Sequence, residues 1–299
     1  MSEFINYDHL LTTCPNDIEQ VVISDLHLSA SEPALVQAFL TLLADLQVLP
    51  QLRQLYILGD WFDAWIGDDA YLSLNDSEKQ SHWITPLIKE LKQLRLGGCD
   101  ILVMHGNRDF LLGQAFCSTF GGTLIYEPYS LVIGQQRFRL EHGDALCTDD
   151  KAYQRFRKLM RSRLVQWYLL NKSLENRLKI ADKMRQKSQQ GNAKKAAFIM
   201  DVNAQAVSQA VQCYEALLHG HTHRPALHRL AEQEPAANDG NGGDKIRYVL
   251  GDWRLIDKDS SWQYVEAVIG IVMREDRSQE SAKEKFVLTR YIDRGYNNK

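Results

Sequence analysis

The 299 residues, 44% hydrophobic and 24% charged, can bury one large core or two small ones, which excludes a disordered or fibrous chain. A formal net charge of −3 argues against general nucleic-acid binding, and no apolar run approaches the roughly 18 residues of a membrane span. Five scattered cysteines with no Cys-x-x-Cys pair argue against a disulfide framework and fit a reducing cytosol.

In chain order, Met1 to Cys14 is polar and lacks the apolar core of a signal peptide. Residues 1–16 read as an N-terminal extension to a single domain over 17–299. Gln20-Val21-Val22-Ile23-Ser24 is a β-branched run, followed by a helical pattern from Pro33 to about Val48. Gln54 to Leu58 is a short buried strand, and a helical stretch spans about Glu78 to Leu96. Asp100 to Met104 is another apolar strand, and Leu131 to Ile133 with Phe138 to Glu141 reads as a hairpin about Gly134-Gln135-Gln136. Strands alternating with helices predict an α/β sheet with helices on its faces.

Residues 151–212 carry no strand signal and predict several inserted helices. Within them, 151–195 hold 14 Lys or Arg against two acids, Glu175 and Asp182, while the rest of the chain has a balance of −15. Such a basic segment on an acidic body points to an anionic partner. Glu215 to Leu218 resumes the strand pattern, and Ala231 to Asp244 is a loop by composition. Three further strands are predicted near Ile246 to Leu250, Trp262 to Met273 and Phe286 to Ile292. The charged stretch Arg274 to Lys285 separates the last two.

The chemistry lies where strands end. Asp25-Leu26-His27, Gly59-Asp60-Trp61-Phe62-Asp63, His105-Gly106-Asn107-Arg108-Asp109, Glu141-His142-Gly143-Asp144 and His219-Gly220-His221-Thr222-His223 each follow an apolar strand. Ligands of α/β sheets bind at the carboxyl ends of strands, so five strands aim Asp, His and Asn at one rim. Six of the nine histidines fall in these clusters. Carboxylate, amide and imidazole together suit Mn²⁺, Fe²⁺ or Zn²⁺, and the lack of Cys ligands argues against a closed structural zinc site. About seven candidate ligands over-supply one ion and serve two, with a bridging carboxylate holding them roughly 3.5–4 Å apart.

In these clusters the chain resembles the calcineurin-like metallophosphoesterases, whose words D-x-H, G-D-x-x-D, G-N-x-D, H and G-H-x-H are matched in order. Longer words resemble the branch that acts on a diacylated UDP-sugar in lipid A biosynthesis: Tyr56 to Asp69, His105 to Gly113, His142 to Asp150, His219 to Pro225, Cys147-Thr148-Asp149-Asp150 and Ile199 to Asn203. The resemblance runs from about Val21 to Leu230 and more loosely to Trp253. It implies a four-layer α/β/β/α sandwich with a helical lid inserted at about 151–212, while residues at about 231–299 read as an elaborated C-terminal edge of the same domain.

It implies one metal on Asp25, His27, Asp60 and His223, and another on Asp60, Asn107, His142 and His221. Mn²⁺ is the leading expectation, with Fe²⁺ and Zn²⁺ behind it. Two such ions make hydroxide available from water at neutral pH and neutralise phosphoryl oxygens. The implied reaction is attack at the α-phosphorus of UDP-2,3-diacylglucosamine, with Asn107, Arg108 and His142 in the catalytic set. Arg108 is expected to add positive charge at the phosphate.

Substrate contacts are expected from Asn107, Arg108, Asp150, Ser188, Asn192, Lys195 and His221. His105 and His219 are expected to pack or to support ligands, and Asp63 to orient a ligand rather than bind metal. Tyr153, Phe156, Met160, Val165, Trp167, Tyr168, Leu169 and Leu170 interleave with the cations. A solvated amphipathic pair explains that pattern, and so does a lid lined for acyl chains and basic towards anionic headgroups. The resemblance favours the lid, and with it peripheral attachment to the cytoplasmic face of the bacterial inner membrane. The small net charge argues against a nucleic-acid partner, and the sequence leaves the oligomeric state open, with a monomer favoured.

The loop Ala231 to Asp244 and the strands beyond Trp253 depart from the family pattern. A nuclease or phosphoprotein phosphatase would use the same five clusters, but the small net charge and the apolar-basic insertion disfavour both. A scaffold that has lost catalysis is disfavoured because none of the seven ligands is missing.

Overall fold

Alternation in the central apolar runs decides the architecture. Val21 and Ile23 pack into one core and Val22 into another. Leu55 and Ile57 divide from Tyr56 and Leu58 in the same way, as do Ile101 and Val103 from Leu102 and Met104. Strands buried on both faces read as continuous apolar runs, and that is what these are.

The computed structural model describes residues 4–192, 201–230, 245–258, 262–275 and 283–295, with the side chains of 187–192, 257, 258, 262 and 275 left out. The elements begin with β1 (Ile5–Asn6), α1 (Tyr7–Thr13), β2 (Ile18–Ile23), α2 (Pro33–Gln47), β3 (Gln54–Leu58), α3 (Asp69–Leu72), α4 (Asp76–Ser81) and α5 (Thr85–Leu96). There follow β4 (Asp100–Met104), α6 (Gln114–Cys117), β5 (Thr123–Ile125), β6 (Tyr129–Ile133) and β7 (Gln136–Leu140). The helices α7 (Lys151–Met160), α8 (Arg163–Leu170), α9 (Leu174–Asn192) and α10 (Ala204–Ala210) come next. The remaining strands are β8 (Ala216–His219), β9 (Ala226–Leu230), β10 (Lys245–Val249), β11 (Arg254–Lys258), β12 (Trp262–Glu275) and β13 (Lys283–Asp293).

Two sheets form. One runs β1-β13-β12-β2-β3-β4-β5 with β11 on β12, and the other runs β6-β7-β8-β10-β9. Their facing sides share the core of Val22, Tyr56, Leu58, Met104, Phe138, Leu140 and Leu218. The outer side of the first sheet is covered by α2 and α5, and Leu217 on the outer side of the second packs with Val207, Ala210 and Val211 of the α10 region. That gives the four layers α/β/β/α. Helix α2 covers its sheet because Pro33 suits a first turn and Leu35, Phe39, Leu42 and Leu46 recur on one face.

Register sets the rim. Ile23 lies opposite Ile57, Ile57 opposite Val103, and Leu140 opposite Leu218, so the loops after β2, β3, β4, β7 and β8 emerge together. The helix expected over Glu78 to Leu96 is two helices, since His82 leaves helical geometry (ψ 133°) and Pro86 restarts the next one. Strands β1, β5, β9 and β11 have no counterpart among the predicted strands. They lie at sheet edges or off the main path, where half-solvated short strands carry little apolar pattern. The expected loop over Ala231 to Asp244 lies outside the described residues. Among the described residues no helix is long and apolar enough to cross a membrane.

Candidate metal centre

The rim is built from strained backbone. Asp25, His27, Asp60, His221 and His223 all have φ between 50° and 65°, the left-handed region that non-glycine residues rarely adopt. Each such residue costs on the order of 1–3 kcal/mol and persists only where its surroundings hold it. Cross-bonds between the loops do the holding. Asp25 N–H donates to Gly59 O (3.1 Å), His27 N–H to Asp60 O (2.9 Å) and Gly220 N–H to His142 O (2.9 Å). The buried Asp109 accepts from the backbone N–H of Trp61 (2.8 Å) and of Gly106 (2.7 Å), tying the β3 loop to the β4 loop.

These turns bring the acids and imidazoles together. Oxygen or nitrogen atoms of Asp25, His27 and His223 lie within 4.8 Å of one another, and so do those of Asp25, Asp60 and His142. Asp60 faces both ways, with Oδ1 3.7 Å from His142 Nε2 and Oδ2 3.9 Å from His27 Nδ1. His142 Nε2 is 3.1 Å from Asn107 Oδ1, and the His221 ring centroid is 5.1 Å from that of His142. The seven predicted ligands therefore share one rim.

Its electrostatics fit divalent ions. His27 Nδ1 is buried without a hydrogen-bond partner and Asp25 Oδ1 meets the His223 imidazole at 3.4 Å, a pair of buried atoms that a cation would satisfy. Burial pushes the Asp60 carboxyl up to about 7 against the attraction of His142. Burial also opposes ionisation of Asp25, but the His223 hydrogen bond and the charges of His142, His223 and His27 outweigh it and hold that carboxyl far below the usual range. Burial lowers His27 to about 4 and His221 to about 3. It would lower His142 and His223 too, but the neighbouring carboxylates lift them to about 9 and about 10. Protons on two imidazoles thus supply the positive charge that bound cations would bring.

Among the other predicted residues, Arg108 donates its backbone N–H to Asp60 Oδ1 (2.8 Å) and pairs its guanidinium with Asp63 (3.4 Å). Asp63 also pairs with Arg185 (2.5 Å), so its carboxylate orients two arginines beside the rim. Asp150 caps α7 by accepting from Tyr153 N–H (3.0 Å). His105 packs, its ring bonded to Leu112 O and edge-on to Tyr126. His219 is buried with its ring bonded to Gly220 O (2.8 Å). The side chains of Ser188 and Asn192, and all of Lys195, lie outside the described residues.

One supporting acid was missed. Asp252 Oδ2 lies 3.2 Å from His223 Nδ1, the carboxylate–imidazole contact that fixes the orientation of a metal ligand. Its signal was present, because Leu250-Gly251-Asp252 repeats the Leu58-Gly59-Asp60 word at the end of β10. The basic segment also differs from its expected role. Arg157, Arg161, Arg177 and Arg185 turn inward to acids of the body, so part of its charge serves the fold rather than an anionic partner.

The family description Calcineurin-like phosphoesterase matches residues 20–225, which contain all seven predicted ligands. The chain belongs to that family. It is therefore a metal-dependent hydrolase that takes divalent ions. The chain is also similar to proteins named UDP-2,3-diacylglucosamine hydrolase. One from Serratia proteamaculans (strain 568) is 45% identical over 235 residues, covering 78% of this chain and 90% of that protein. Those from Proteus mirabilis (strain HI4320) and Pseudomonas aeruginosa (strain UCBPP-PA14) are each 42% identical over 233 residues, covering 77% of this chain and 89% of theirs. The matched part of this phosphoesterase ends at Pro225, so β9 to β13, and Asp252 between β10 and β11, lie beyond it.

Proposed function

We propose that the chain hydrolyses the pyrophosphate bond of UDP-2,3-diacylglucosamine, releasing UMP and 2,3-diacylglucosamine 1-phosphate in lipid A biosynthesis. The observation that carries this is the convergence of Asp25, His27, Asp60, Asn107, His142, His221 and His223 on one rim in a chain 45% identical to a hydrolase of that name. Asp25, His27, Asp60 and His223 would hold one divalent ion, and Asp60, Asn107, His142 and His221 the other, with Mn²⁺ first choice ahead of Fe²⁺ and Zn²⁺. Such ions, when bound, lower the pKa of water and screen the phosphoryl charge.

The chain's own residues do the placing. Asp60 is fixed by the Arg108 N–H, and Asn107 and His142 hold their side chains against each other. Arg108, kept in position by Asp63, offers its guanidinium to the phosphate. Asp150, Ser188, Asn192, Lys195 and His221 are the proposed substrate contacts, with Lys195 pairing with phosphate. Incubating the purified protein with Mn²⁺ and UDP-2,3-diacylglucosamine is expected to yield UMP, with nucleic acid and phosphoprotein left uncut. Absence of UMP from a folded, metal-loaded sample overturns the reading.

Of the lid insertion at about 151–212, helices α7 to α9 are proposed to seat the acyl chains and meet the anionic cytoplasmic face of the inner membrane as a monomeric, peripheral contact. Leu159, Leu164, Trp167, Tyr168 and Leu170 are exposed between Lys and Arg residues, a composition suited to headgroups above acyl chains. Trp167→Glu combined with Leu170→Glu is expected to weaken cosedimentation with anionic vesicles and slow lipid turnover, with metal content unchanged. Equal turnover of the diacylated substrate would sink the assignment.

A further inference from the structure

A second charged cluster lies against the metal centre, made half by the body and half by the lid. Tyr153, Arg157 and Arg161 recur every fourth residue and so lie along one face of α7 and its C-terminal cap. The Tyr153 hydroxyl donates to Asp144 Oδ2 at 2.6 Å, and Arg157 Nε donates to the same oxygen at 2.9 Å. Arg157 also pairs with Glu127, and Arg161 Nη1 donates to Glu127 Oε1 at 2.9 Å. Asp144 is fully buried and Glu127 nearly so. A buried carboxylate left alone is costly, and two guanidinia fix both acids in place.

Two bonds run from this cluster to the rim. Glu127 Oε2 accepts the backbone N–H of His142 at 3.2 Å. Arg161 Nη2 donates to the carbonyl of Gly106 at 3.1 Å, one residue before Asn107. His142 and Asn107 are the two residues whose side chains meet at 3.1 Å, and both belong to the same proposed ion. Among the described residues, no hydrogen bond from α7 reaches the backbone of Asp25, His27 or His223, the other ion's own ligands. The lid's other anchors go elsewhere, Arg177 to Asp69 and Ile66 O, and Arg185 to Asp63. Tethering the lid therefore does not by itself require the Glu127–Arg161 link.

We propose that Arg161 and Glu127 are positioning residues for the second ion, so that the base of the lid and the Asn107–His142 half of the centre form one unit. Arg161 holds the carbonyl before Asn107, Glu127 holds the amide of His142, and their ion pair fixes the separation of the two ligands. Reciprocity follows, because whatever couples the lid to the ion couples the ion to the lid. The proposal rests on the two-ion reading of the centre but not on the identity of the substrate.

The test is metal titration of the full-length, metal-stripped protein with Mn²⁺, followed by calorimetry and electron paramagnetic resonance. The wild type is expected to load two ions. Arg161→Gln and Glu127→Gln are each expected to weaken the second ion by roughly 10–100-fold and leave the first unchanged, the size of effect seen when a group supporting a ligand is lost. Arg161→Lys, which keeps the charge and one donor, is expected to recover part of that loss. Hydrogen exchange in α7 is expected to slow on loading the second ion in the wild type but not in Arg161→Gln. Equal weakening of both ions, or of neither, overturns the proposal. So does an unfolded Arg161→Gln beside an Arg161→Lys that loads like wild type, which would assign Arg161 to the fold. A wild type that loads fewer than two ions overturns the two-ion reading and the proposal with it, whereas a failure to release UMP touches neither.

Discussion

Asp60→Ala is expected to lose both metal ions and to lower hydrolysis by at least about 10³-fold, on the order of 4 kcal/mol of barrier. The cause is position. Asp60 is buried with one oxygen towards His142 and the other towards His27, so it lies between the two groups of predicted ligands. His223→Ala and His221→Ala, each on one side of that gap, are expected to empty mainly one site each. Metal analysis of the three proteins beside their rates gives a graded result. Asp60→Ala with two tightly bound ions and near-normal turnover would remove Asp60 from the centre of the chemistry.

The same carboxylate has a cost when no metal is present. Its folded pKa is raised by burial to about 7, above the usual carboxylate value of 3.8. An acid shifted upward destabilises the fold once pH exceeds its unfolded value, and the penalty is complete above the folded one. At pH 8 the metal-free protein carries that penalty, and a bound cation reverses its sign. Asp60 thus carries a charge that the metal-free fold disfavours and that a bound cation stabilises.

Much of this was legible from residue order. Strands β2, β3 and β4 are buried on both faces, so their apolar runs stand out, and an acid or imidazole after such a run points to the rim. Edge strands β5 and β9 were missed because solvent on one side removes the pattern, as the exposed centre of β9 shows. Asp252 was missed for a different reason. Its Gly-Asp word is as plain as that of Asp60, but the family words end before it. The inward arginines were illegible because a charge count does not tell which face of a helix a cation occupies. Tyr153, Arg157 and Arg161 have a readable spacing, but their acids Glu127 and Asp144 come from separate loops that only the fold brings together.

Gly106→Ala is expected to disable the centre almost as fully as Asp60→Ala, though it removes no ligand. A β-carbon at Gly106 would lie 2.0 Å from Asp60 Oδ1 and 2.2 Å from Asp60 N, far inside contact distance, and the opposing groups are a buried carboxylate and backbone. The β3 loop would have to move, taking Asp60 off the line between His142 and His27 and breaking the bonds from Gly106 N–H and Trp61 N–H to Asp109. Overpacking against unyielding backbone costs about 2–4 kcal/mol, enough to lower the melting temperature measurably as well. Gly98→Ala is the matched control. Its φ of 100° makes a side chain strained, but open space surrounds the added carbon and the rim is remote. It is expected to cost about 1 kcal/mol with metal content and rate unchanged. The pair separates two uses of glycine, conformational freedom at Gly98 and close approach at Gly106. If Gly106→Ala bound two ions and turned over normally, the position of Asp60 would not depend on the β4 backbone pressed against it.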